Sequence, residues 1–253
     1  MLLAIVTFLI FALSIIFAML GLGGAMLYIP VFHWFAYDFK SVAIPTGLLL
    51  NGVTALSAAV FYLKAKMVDV KGSIPLTVSS FIGAPVGAWF TKIVPTNSLI
   101  LLFCIGMVFA GSRMLMTSGA PEKNEMMAPG LRYAIMGTGG FFIGMIAGLL
   151  GIGGGFLFVP MMIAMGYPTK RAAATSAFVV IFSSFSGFAG HIAEGHFNWP
   201  LMAAATIAVI IGSQVGARVM KDKMKSSWIK KMFGVVMLSV ALKLLWKLTI
   251  TYL

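Results

Sequence analysis

Carboxylates are scarce in this sequence. Only six of 253 residues are Asp or Glu (Asp38, Asp69, Glu122, Glu125, Glu194 and Asp222), and none falls deep inside an apolar run. That excludes an intramembrane carboxylate proton relay and argues against a cationic substrate. Cysteine is nearly missing as well: Cys104 stands alone. An intrachain disulfide and a cysteine-based metal site are therefore excluded, and a lone thiol within apolar sequence serves as a small packing residue. Charge of either sign is thin. Lys, Arg, Asp and Glu together make up 9% of the chain, against about 25% in soluble domains. The net charge of +12 suggests nucleic acid at first sight, yet no basic domain or arm stands outside the hydrophobic segments, so no nucleic-acid partner is expected. The pattern H-x-x-E-x-H over His191, Glu194 and His196 is too weak for a zinc site and reads as a solvated loop. Neither a metal nor another cofactor is expected.

What the chain has in abundance is apolar sequence and glycine. Apolar residues make up 60% of it and the mean hydropathy is +1.04, which defines a polytopic membrane protein. The apolar segments run 1–20, 24–37, 42–63, 72–91 and 97–117, then 131–150, 154–167, 172–192, 199–220 and 227–250. The polar stretch 118–130 separates them into two sets of five. The first 20 residues lack a basic start and a small-x-small cleavage site, so they are expected to be retained as a span.

The two sets repeat. GLGGAMLYIP at 21–30 matches GIGGGFLFVP at 151–160, pairing Gly21, Gly23, Gly24 and Pro30 with Gly151, Gly153, Gly154 and Pro160. Ala43 and Thr46 align with Ala173 and Ser176, and GAPVGA at 83–88 aligns with GSQVGA at 212–217. The expected organisation is a first repeat over 1–117, a linker over 118–130 and a second repeat over 131–253. The second element of each repeat, about 14 residues, reaches only about 21 Å as a helix. That falls short of a hydrocarbon core of about 30 Å, so it is either a tilted span or the returning arm of a re-entrant hairpin.

The cations give orientation. Lys64, Lys66 and Lys71 follow the third element, Arg113, Lys123 and Arg132 flank the linker, and Lys170 and Arg171 follow the seventh element. Arg218, Lys221, Lys223, Lys225, Lys230 and Lys231 surround the loop after the ninth. Placing these four regions in the cytoplasm satisfies the positive-inside rule and makes the 118–130 linker cytoplasmic; Lys40, Lys92, Lys243 and Lys247 remain outside it. The loop after the third element is then inside and its counterpart around His191 outside, so the halves have opposite topology. The fold class expected is an all-α polytopic membrane protein of two inverted repeats, with 8–10 transmembrane helices. Inverted repeats with interrupted helices are the architecture of secondary transporters, whose substrate sits where the repeats meet.

A helix restarting after a glycine break exposes free amides and a positive dipole end, which attract anions. GIGGGF lacks the third glycine of a dinucleotide fingerprint and follows no strand, so it is not a nucleotide site. The candidate substrate-binding residues are Gly21, Gly23, Gly24, Thr46, Asn51, Gly151, Gly153, Gly154, Gly155, Thr175, Ser176 and Gln214, with Pro30 and Pro160 as helix bends. Asn51 and Gln214 are costly to bury, while the scattered serines serve equally well as interhelical hydrogen bonders. Gly83/Gly87, Gly212/Gly216 and Gly140, Gly144, Gly148 are close-packing glycines. Arg113 and Arg218 suit snorkelling or the gathering of anions at an inner mouth.

The doubled G-x-G-G-x-x-x-x-x-P, each copy leading to a short helix and an Ala-x-x-Thr/Ser start, resembles the sulfite exporter TauE/SafE family over nearly the whole chain. That resemblance implies an integral transporter in a bacterial plasma (inner) membrane for small sulfur-containing anions such as sulfite, sulfoacetate or thiosulfate. Ala25 stands where the second copy has Gly155, and Pro45 where it has Thr175. The thiosulfate transporters associated with this group use several cysteines, so one cysteine favours sulfite or an organosulfonate. The partners expected are a small anion and the lipid bilayer, with a homo-oligomer compatible with the pattern. The expected activity is export by alternating access, not enzymatic: no nucleophile–base pair falls within the spans. An anion channel on the same scaffold, sulfur-anion uptake and a non-transport membrane subunit are the alternatives.

Overall fold

The computed structural model describes residues 2–91, 93–120, 122, 125–192 and 196–252. Lys92, Lys123 and Glu194 therefore lie outside the described residues. Among the described residues ten α-helices follow one another: α1 (Leu2–Leu20), α2 (Ala25–Trp34), α3 (Ile44–Lys64), α4 (Val70–Phe90), α5 (Thr96–Met116), α6 (Pro129–Leu150), α7 (Gly155–Ala164), α8 (Thr169–His191), α9 (Trp199–Asp222) and α10 (Ser226–Tyr252). The expected elements are all present, with ends shifted by a few residues.

Local chemistry sets several of the helix starts. Asp69 accepts from the Gly72 amide at 3.1 Å to open α4, and Asn198 accepts from the Leu201 amide at 3.1 Å to open α9; both are N-caps. A π-type turn, Phe39–Ala43, precedes α3 and was not expected. Asp38 anchors it by accepting from the Ser41 amide at 2.7 Å and the Ser41 hydroxyl at 2.6 Å. Those bonds, the hydroxyl's first, hold the Asp38 carboxyl below its ordinary range.

Among the described residues, six helices are long and apolar enough to cross a membrane. Large apolar side chains cover the outside, among them Phe8, Phe109, Trp199 and Leu242, each at least 65% exposed. An apolar surface of that extent requires lipid. The two second elements are different: α2 and α7 have 10 residues each, about 15 Å long. They are returning arms of re-entrant pairs, α1–α2 and α6–α7, rather than spans.

Glycines decide how the long helices pair. A Cβ at Gly144 would lie 2.6 Å from the Ser80 carbonyl, and one at Gly148 would overlap that of Ala84. Residues 80 and 84 thus meet 144 and 148 in step, and α4 and α6 run parallel. Gly212 faces Ser14 and Gly216 faces Ile15 and Ala18, so α9 and α1 form the corresponding parallel pair. In contrast α3 and α8 run antiparallel, with Leu48 at Gly187 and Gly52 at Phe185. The pair α5 and α10 is antiparallel too, with Cys104 donating to the Ala241 carbonyl at 3.8 Å and Lys230 to that of Thr117 at 3.2 Å. A two-fold axis in the membrane plane generates this set: it exchanges the pair α4/α6 with α9/α1 and reverses α3 onto α8. The halves are intertwined, since α1 packs on the second repeat and α6 on the first.

The basic loops gather at one end. Tyr167 donates to Asp69 at 2.9 Å and Lys170 to the Lys221 carbonyl at 2.9 Å, while the Met127 amide donates to Met165 at 3.0 Å. At the opposite end Lys40 donates to the carbonyls of Thr91 (3.1 Å) and Val94 (3.4 Å), and the His196 amide to that of Ser41 at 2.8 Å.

Candidate functional site

Both chain breaks have positive φ at the same three positions. Gly21, Gly23 and Gly24 have φ of 69°, 89° and 144°, and Gly151, Gly153 and Gly154 have 74°, 71° and 82°. Three left-handed residues in four are tolerable only for glycine. They let α1 and α6 stop and α2 and α7 set off again in a reversed direction.

The breaks touch. A Cβ at Gly155 would lie 2.8 Å from Leu22 and 3.0 Å from the Gly21 carbonyl. This explains the departure at Ala25: the contact needs one residue without a side chain, and Gly155 supplies it. Between the breaks stands Asn51 of α3, fully buried. Its Oδ1 accepts from the Ala25 amide, the first of α2, at 2.7 Å. Its Nδ2 donates to the Ser184 hydroxyl of α8 at 2.7 Å. An amide N–H can only donate, so the contact with Ala25 fixes which end of the Asn51 amide is oxygen. A Cβ at Gly23 or at Gly153 would overlap this same side chain. One asparagine thus braces both breaks, and its repeat counterpart is apolar Ile181.

Two further hydroxyls bond the breaks. Ser176 donates to the Gly21 carbonyl at 2.9 Å and Ser183 to the Gly153 carbonyl at 2.6 Å. Thr46, the counterpart of Ser176, is 2% exposed, and its hydroxyl has no partner. The structure therefore brings together Gly21, Gly23, Gly24, Asn51, Gly151, Gly153, Gly154, Gly155 and Ser176, from three helices and two breaks. Pro30 and Pro160 lie inside α2 and α7, where each withholds the amide that would bond the residue four before it.

Two expected site residues stand elsewhere. Thr175 accepts from the Asp69 amide at 3.0 Å and pins the loop at the basic end. Gln214 donates to the Ser57 carbonyl at 2.6 Å and hydroxyl at 3.0 Å, joining α9 to α3. Ser183 and Ser184, among the α8 serines expected to serve as interhelical hydrogen bonders and not as site residues, stand at the breaks. Tyr28, unexpected there, is fully buried, with its hydroxyl 3.2 Å from that of Thr54 and its ring where a Cβ on Gly24 would go. Phe158 fills the matching place beside Gly154. His191 is buried with Nε2 3.0 Å from the Gly148 carbonyl, so it packs on α6 instead of lying in a solvated loop. Among the described residues no group of metal-binding side chains is found.

A buried meeting point of two helix breaks, lined by amides and hydroxyls and without a carboxylate, within a helical membrane protein of inverted repeats, defines a membrane transporter. The profile of the sulfite exporter TauE/SafE family matches residues 6–244. The chain belongs to that family. It is 30% identical over 253 residues to the probable membrane transporter protein YunE of Bacillus subtilis, covering 91% of this chain and 92% of that one. It is 25% identical over 243 residues to the probable membrane transporter protein y4hK of Sinorhizobium fredii, covering 93% and 95%. Over 115 residues it is 30% identical to the sulfite exporter TauE/SafE family protein 3 of Arabidopsis thaliana, covering 44% and 24%. No solved structure matches the chain.

Proposed function

We propose that the protein exports a small sulfur-containing anion, sulfite or an organosulfonate such as sulfoacetate, from the cytoplasm across the plasma membrane. The observation that carries this reading is the Asn51 brace: one neutral amide ties the α2 start to α8 between two glycine breaks, with no carboxylate near. Separating the breaks frees the Ala25 amide and the Ser184 hydroxyl together, and the Thr46 hydroxyl is already unpartnered. These are neutral donors, suited to an oxyanion that must be released again. The repeats move about this point to expose it alternately to the two sides. An inside-negative potential drives anion export by about 2.3 kcal/mol per charge per 100 mV, so a coupling ion is not required.

The test is flux in proteoliposomes with sulfite, sulfoacetate, thiosulfate and sulfate under an imposed potential. Saturable, counterflow-competent movement of sulfite or sulfoacetate is expected, and Gly153→Leu abolishes it, because the added side chain overlaps Asn51 and Ser184. Absence of flux for every sulfur anion rejects the reading.

A further inference from the structure

A cavity of about 120 Å³ opens at the basic end, away from the breaks. It is far larger than the roughly 10–15 Å³ one water needs, so it has room for a small oxyanion. Its wall includes Pro160, six residues beyond Gly154 along α7, or about 9 Å from the second break at helical rise. Lys230 of α10 and Arg113 of α5 both line it.

Lys230 is only 3% exposed, which is unusual for an ammonium; the acid on the same wall, Glu122, acts on it through space. One of its three donors is used on the Thr117 carbonyl at 3.2 Å. Among the described residues, neither Lys230 nor Arg113 is in an ion pair. The carboxylate on the wall, Glu122, accepts from the Thr169 amide at the start of α8, at 2.8 Å, and also faces Lys230, whose charge it offsets in part. Thr169 also lines the cavity, is 1% exposed, and its hydroxyl, beside the Glu122 carboxylate, makes no hydrogen bond within 3.5 Å. Two cations against one engaged carboxylate leave the wall net positive. A buried cation and an orphaned buried hydroxyl facing the same space both call for an anionic ligand.

We propose that this cavity is an anion-binding antechamber, in which Lys230, Arg113 and the Thr169 hydroxyl hold the oxyanion head of the substrate before it passes along α7 to the breaks. The assignment rests on the export reading above. A lipid phosphate carries the same oxyanion chemistry, so the experiment includes one.

Export kinetics and equilibrium binding are measured on the full-length protein for wild type, Lys230→Gln, Lys230→Arg, Arg113→Gln and Thr169→Val. Lys230→Gln and Arg113→Gln are expected to raise the half-saturating concentration about tenfold each, the scale of one lost charge-assisted hydrogen bond. The maximal rate changes little, and Lys230→Arg keeps the wild-type value. Thr169→Val leaves the Lys230–Thr117 bond in place and moves half-saturation in the same direction, which separates ligand loss from misfolding. Unchanged half-saturation in both glutamine variants, with flux intact, overturns the antechamber and spares the export reading. Lys230-dependent binding of a short-chain phosphatidic acid that neither sulfite nor sulfoacetate displaces also overturns it. If wild type moves no sulfur anion, the export reading fails. Binding of sulfite, sulfate and phosphate to purified protein then decides the cavity: Lys230-dependent binding upholds an anion site, and none refutes it.

Discussion

At the residue scale, Asn51 is the centre of the proposed site. It is the most buried amide in contact with both breaks, and each of its two polar ends has a partner from a different repeat. Replacing it by Ala leaves the Ala25 amide and the Ser184 hydroxyl unpaired, at a cost of about 1–3 kcal/mol for a buried unsatisfied group. Asn51→Ala should therefore lower the thermal midpoint and abolish flux together. Asn51→Asp discriminates between packing and electrostatics. A carboxylate accepts from both Ala25 and a reoriented Ser184 hydroxyl, so the brace survives, but it places a negative charge where the anion must pass. Flux should vanish while the midpoint falls less than in Asn51→Ala; an Asp variant that transports like wild type would show that no anion meets this residue. Asn51 was legible in the sequence as a costly polar residue in an apolar run. Its double role was not, because Ser184 lies 133 positions away.

At the scale of the element, glycines play two distinct parts. Those in the breaks are required by left-handed backbone, and those in α4, α6 and α9 by close helix approach. The spacing of four in GAPVGA and GSQVGA announced the second role, and helix partners bear it out. The partners themselves could not be read from spacing: α6 packs chiefly on α4 of the first repeat rather than on its own repeat's helices. Gly148 tests that interface. A side chain there overlaps the Ala84 carbonyl, so Gly148→Val should destabilise by at least the 1–3 kcal/mol typical of overpacking, read as a drop in the midpoint of unfolding in detergent. Gly137, which has nothing within 4 Å of an added Cβ, is the control and should tolerate Val far better. The short helices α2 and α7 were visible as elements too short to span. Whether they were tilted or returned depended on the positive-φ glycines, a backbone property with no signature beyond the residue type.

For the whole molecule, the charge pattern makes a claim about direction. The four basic regions meet at one end through Tyr167–Asp69, Lys170–Lys221 and Lys230–Thr117 contacts. By the positive-inside rule we propose that this end is the cytoplasmic one. Thiol labelling checks it with little background, because Cys104 is 1% exposed. In intact cells an impermeant maleimide should label Ser98→Cys, at the opposite end, and should spare Lys225→Cys until the membrane is opened. The reverse pattern would invert the orientation and, with it, the direction of export.

The sequence by itself determined the membrane class, the duplication and the inversion, because hydropathy, repeat spacing and the positions of charges are local or additive properties of the chain. Tertiary structure alone decided that the two breaks share one asparagine, that Thr175 and Gln214 serve loops and helix joints instead, and that Lys230 and Arg113 border one cavity. Each of those facts depends on which helices become neighbours. That is settled by the close approach of small residues from opposite halves, more than a hundred positions apart in some pairs, and no local pattern encodes it.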